Sequence, residues 1–162
     1  MAKYDRILSL AVASGLMVVI VMHQGRLAHW QRWQDKAACP VRARSAFRTV
    51  IAKYKPDLIV LQDPDRNCRK AGASLKLLRI LAQAADDEPV RVIRVPRAYI
   101  YRNLYEEAVA LSVRFPEFER WRPKRWPNYE RAPKDLIFFE ALTYVIKVME
   151  APDDPAEASK LN

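Results

Sequence analysis

Between Ile7 and Met22 almost every position is apolar, with breaks only at Ser9, Ser14 and Gly15. That run falls short of the ~20 residues a helix needs to cross hydrocarbon. Lys3 and Arg6 precede it, but Asp5 lies between them and no small-x-small signal closes the run, so an export signal is not expected. The density of Val, Ile and Leu between small turn residues predicts strands instead: Arg6 to Ser14, a turn at Ser14-Gly15, Leu16 to Met22, a turn at Gln24-Gly25, then Arg26 to Trp33. The first is expected to be buried on both faces. From Pro40 to Tyr54 the period becomes helical: Phe47, Val50, Ile51 and Tyr54 share one face and Arg42, Arg44, Arg48 and Lys53 the other. Lys55-Pro56 stops that helix.

Asp57 to Asp63, DLIVLQD, then reads as a fully buried strand. A helix running from about Arg66 carries Leu77, Leu78, Leu81, Ala84 and Ala85 on its apolar face. Pro89 to Val95 alternates apolar residues with arginine and reads as a strand, and Pro96 to Arg114 as a helix with the proline in its first turn. A basic, proline-rich loop leads to a last helix from about Asp135 to Glu150. Three antiparallel strands followed by alternating helices and parallel strands predict an α/β fold, a mixed five-stranded sheet with helices on both faces. One domain over 1–150 is expected, with an acidic, proline-containing and disordered tail over 151–162.

Composition adds a partner class. A net charge of +9 and a pI near 9.8 on 162 residues suit a protein that faces phosphates. Cys39 and Cys68 are far apart and in no CxxC pair, which points to reduced thiols and a cytoplasmic setting, with neither zinc nor disulfides. His23 and His29 lack a third ligand and read as hairpin residues, not metal ligands.

The segments RILSLAVAS, KPDLIVLQDP, VIRVPRAYI, RFPEF and RPKRWPNYERAPKDLIFFEALTYV, in this order, resemble the RuvC-like Holliday junction resolvases of the RNase H-like superfamily. The resemblance implies an RNase H-like fold. It also implies carboxylates in the first strand, at the end of the fourth and at the start of the last helix, holding two divalent metals for phosphodiester cleavage. At those positions this chain has Ala11, Gln62 and Glu140, so only one acid remains. Asp63 and Asp135 are the candidates to rescue a site, although Asp63 is expected to point away from Gln62 because successive strand residues alternate faces. Relatives also carry a longer segment with a threonine-lysine pair where Ile100 to Phe115 is short, Leu104 standing near the lysine's place.

Binding surfaces remain. Arg122, Lys124, Arg125 and Trp126 lie in RWRPKRWPNYER, where cations alternate with rings able to stack on unpaired bases. The competing expectation is that the tryptophans tuck this loop onto the core. Arg66, Arg69, Lys70, Lys76 and Arg79 form a second basic strip beyond the fourth strand, and Arg97 follows the fifth. Three functions are therefore open: a catalytically inactive RuvC-like domain binding branched or single-stranded nucleic acid, a Mg- or Mn-dependent endonuclease with rearranged carboxylates, and a protein-interaction scaffold such as a homodimer. The first is favoured, with no cofactor and no membrane association expected.

Overall fold

The computed structural model describes residues 3–13, 15–34, 36–97, 101–127 and 133–150. The apolar amino-terminal run folds as β1 (Arg6–Ala13) and β2 (Leu16–His23), and β3 (Arg26–Trp33) completes a meander. Gln24 and Gly25 both have positive φ, 52° and 77°, the conformation of a tight hairpin turn whose twist matches its strands. Ser14 lies outside the described residues. Next come α1 (Pro40–Tyr54), β4 (Leu58–Gln62), α2 (Gly72–Asp86), β5 (Arg91–Val95), α3 (Leu104–Arg114), a 3-10 segment Pro116–Trp121 and α4 (Leu136–Met149).

The strands form one sheet in the order β3-β2-β1-β4-β5. β1 pairs antiparallel with β2 and β2 with β3, whereas β1–β4 and β4–β5 are parallel. This is the predicted α/β mixed sheet. Its faces sort by alternation: Leu8, Leu10, Val12, Ile59 and Leu61 meet the α1 and α2 residues Phe47, Val50, Leu78 and Leu81. Ile7, Ala11, Leu58 and Val60 meet Phe139, Leu142, Tyr144 and Val145 of α4, joined by Phe118 of the 3-10 segment. β1 is buried on both faces because helices cover both sides of the sheet centre.

Two helices start later than their sequence period suggests. α2 begins at Gly72, not near Arg66; residues 66–71 run as irregular chain through Asn67, whose φ is 52°. α3 begins at Leu104, not at Pro96. There Asn103 caps the helix, its Oδ1 accepting the Glu106 N–H at 2.8 Å. The stretch 98–100 and the tail 151–162 lie outside the described residues. Among the described residues no helix is long and apolar enough to cross a membrane.

Candidate functional site

The three positions singled out by the resemblance lie on the α4 side of the sheet. Ala11 faces α4 and is buried. The parallel register pairs Leu10 with Leu61, so Ala11 and Gln62 are the next residues along two adjacent strands, about 5 Å apart in the pairing direction. α4 is bonded to both strands: Ser9 Oγ donates to the Ala141 carbonyl at 2.7 Å, and Tyr144 Oη donates to Gln62 Oε1 at 3.2 Å. Glu140 sits between those contacts, next to Ala141 and one helical turn before Tyr144. One methyl, one neutral amide and one carboxylate thus occupy this end of the sheet.

The carboxylate is already neutralised. Lys70 Nζ donates to both Glu140 oxygens, at 3.1 and 3.2 Å, and Arg97 Nε lies 3.6 Å from Oε1. Arg97 in turn grips Glu107 of α3 with both terminal nitrogens, at 2.7 and 3.2 Å. The side chains of Arg97 and Glu107 are only 7% and 3% exposed, so this is a buried bidentate pair. Burial works against the Arg97 charge, yet Glu107 and Glu140 hold its pKa above the ordinary arginine value. Burial first, and the Glu140 carboxylate second, push the Tyr144 hydroxyl well above the usual tyrosine range, which keeps it a donor to Gln62. Lys147 Nζ donates to the Pro96 carbonyl at 3.2 Å, and burial together with the Arg97 and Arg66 guanidiniums lowers its pKa. Cations therefore crowd the end of the sheet where the resemblance implies divalent metals.

Neither rescue candidate turns toward this cluster. Asp63 Oδ1 accepts the Asp65 N–H at 2.9 Å, so its carboxylate closes its own loop. Asp135, just before α4, is ion-paired with Arg32 of β3. Among the described residues no three His, Cys, Asp or Glu side chains come together in a way that could hold a metal ion. Magnesium needs hard, negatively charged oxygen ligands to offset its dehydration, and one carboxylate flanked by an ammonium and a guanidinium is a poor substitute. The donor set does not fit the two-metal chemistry that the resemblance implies.

The other predicted binding residues divide by exposure. Arg66, Arg69 and Lys76 are exposed, Arg79 is exposed but paired with Asp65 at 3.2 Å, and Lys70 and Arg97 turn inward. In the basic loop, Trp121 stacks on Phe138 with centroids 4.5 Å apart and meets Trp30 edge-on, which makes it an anchor of the core. Arg122 pairs with Glu119 at 2.8 Å. Lys124 and Arg125 are exposed, and half-buried Trp126 meets Tyr105 edge-on. Residues 128–132 of that loop lie outside the described residues. Tyr144 and Glu107 were missed by sequence reasoning; an acid beside Ala108 on the buried face of α3 was the available signal for Glu107.

With this geometry in hand, solved structures supply the comparison. RuvC of Thermus thermophilus superposes with a TM-score of 0.56 at 13% identity, covering 86% of this chain and 93% of that one. The same protein in complex with a Holliday junction substrate gives 0.55 at 17% identity, covering 86% and 92%. The fowlpox virus resolvase, in complex with Holliday junction DNA, gives 0.57 at 15% identity, covering 90% and 97%. The chain has the RuvC-like, RNase H-like fold. No family model and no curated protein matches the sequence. Identity this low carries the RuvC-like fold across and leaves activity to the residues of this chain.

Proposed function

We propose that the chain is a non-catalytic RuvC-fold domain that binds nucleic acid, branched or single-stranded. The observation that carries the non-catalytic part is the state of Glu140, the one acid left at the site, which is bonded to Lys70 and flanked by Arg97. Metal ions would have to displace two tethered cations with no second carboxylate to receive them, because Ala11 and Gln62 stand at the other two positions. Hydrolysis through metal-activated water has no support in that arrangement.

The binding part draws its support from charge and from the company of the fold. The chain carries +9, exposed Arg66 lies four residues beyond the carboxyl end of β4, the end of the strands where ligands of α/β sheets gather, and exposed Lys76, Lys124 and Arg125 add cations on α2 and the basic loop. Two of the matched structures hold Holliday junction DNA. The test is a gel-shift titration of a synthetic four-way junction and a single strand, paired with a cleavage assay in Mg2+ and Mn2+. Binding that weakens steeply with salt, with no cleavage product, is the expected outcome. Cleavage abolished by Glu140→Gln would overturn the non-catalytic reading.

A further inference from the structure

On the other side of the sheet from α4, a cleft of about 520 Å³ lies between the edge strand β3 and helix α1. Its size falls within the range of small-ligand sites. No aspartate or glutamate lines it, whereas Arg42 and Lys53 stand along one α1 face, about 16 Å apart at 1.5 Å rise per residue. The neighbouring α1 face is different: Arg44 and Arg48 are neutralised by Asp87 and Glu88 at 3.5 and 3.3 Å. Among the described residues Arg42 and Ser45 have no side-chain partner, and Lys53 meets only the ring of Tyr54, with Nζ 5.3 Å from its centroid. That ring stacks on His29 of β3, centroids 4.7 Å apart and planes 21° from parallel. Buried Trp33, Ala46 and Val50 give the cleft a rigid wall.

We infer that this cleft binds a nucleotide unit, its base stacked against the His29–Tyr54 pair and its phosphate held by Lys53 or Arg42. A flat platform beside an uncompensated ammonium offers both halves of that ligand class: a π-face for the base and a charge for the phosphate. The same unit comes as a free mononucleotide or as part of a strand. The inference does not rest on the junction-binding reading, since the cleft belongs to the opposite sheet face.

Calorimetric titration of the intact chain with AMP, with inorganic phosphate and with a ten-residue thymidine oligonucleotide tests it. Two variants at exposed positions keep the fold measurable by circular dichroism: Arg42→Glu/Lys53→Glu reverses the charge, and Ser45→Trp fills the cleft without changing charge. A loss of tenfold or more in both variants is expected. Loss for AMP and oligonucleotide alike supports a nucleotide unit from either source, loss for the oligonucleotide alone assigns it to a strand, and loss for AMP alone to the free nucleotide. If Ser45→Trp leaves both affinities unchanged, or phosphate binds as well as AMP, the inference is overturned even where the chain still shifts a four-way junction.

Discussion

Lys70 does at Glu140 what a divalent ion would do for a carboxylate cluster: it supplies positive charge from within hydrogen-bonding distance, but on a tether that cannot exchange. Restoring acids alone is therefore not enough to restore metal. In Ala11→Asp/Gln62→Glu the new carboxylates meet Lys70 and Arg97 first, so added Mn2+ is expected to move the unfolding temperature little. Adding Lys70→Met removes the competitor, and a clear Mn2+-dependent rise in thermal unfolding is expected only in the triple variant. Breaking the pair beside it has a different cost: Arg97→Met strands the nearly inaccessible Glu107, and urea unfolding should register a loss of about 3 kcal/mol. Tyr144 carries a pH signature. Its pKa is raised in the folded chain, so above the ordinary value near ~10 the unfolded state gives up a proton that the folded state keeps. Stability from this group is intact below pH ~10 and falls as pH rises beyond it. Tyr144→Phe should flatten that alkaline decline while costing about 1 kcal/mol at neutral pH, because Gln62 Oε1 loses its donor.

Helix α4 is the element that makes the site, since it touches β1 through Ala141 and β4 through Tyr144 and sets Glu140 between them. The 3-10 segment holds α4 in place: Phe118 and Trp121 pack on Phe138 and Phe139. Trp121→Ala is therefore expected to cost about 3 kcal/mol of stability with nucleic-acid affinity changed little, and Trp126→Ala the reverse, weakening single-strand binding by about 1–2 kcal/mol. Unfolding and gel-shift titrations of both variants separate the two roles. The loop sequence shows two similar tryptophans; which one anchors depends on Trp30 and Phe138, which only the fold brings near. β1, β2 and β4 were legible as mostly apolar runs too short for a spanning helix, whereas β3 (RLAHWQRW) and β5 (RVIRV) alternate only loosely and owe their legibility as much to the turn residues that precede them, Gln24-Gly25 and Pro89. The start of α3 was misread although its signal was present: Asn103 followed by Glu106 has the spacing of a capping pair, and the cap outweighs the preference of Pro96 for a first turn. The start of α2 had no comparable signal, since Ala71 makes no side-chain cap. Ala11, Gln62 and Glu140 could be named from the resemblance, whereas Lys70 read as a surface cation, because an ion pair across seventy residues leaves no trace in local periodicity.

At the scale of the whole molecule the surplus of charge is unevenly committed. Asp87 and Glu88 beyond α2 are matched by Arg44 and Arg48 of α1, Asp135 by Arg32 and Glu150 by Arg114, whereas among the described residues Lys124 and Arg125 of the basic loop and Arg42 and Lys53 of the α1 cleft have no ion pair. Binding driven by such cations releases counterions, and the logarithm of affinity for a duplex arm should fall linearly with the logarithm of salt, by about 0.9 per phosphate neutralised. If Lys124 and Arg125 each neutralise one phosphate, Lys124→Ala/Arg125→Ala should reduce that slope by about 2 and weaken binding to different sequences alike. Arg97→Lys offers the contrast. It keeps the charge but cannot hold Glu107 with a planar fork, so stability should fall while the salt slope stays where it was. A slope that dropped with Arg97→Lys and not with the loop variant would move the phosphate contact from the exposed loop to the buried end of the sheet, and titrations of junction binding from 50 to 300 mM salt, roughly the range in which the effect is largest, decide between them.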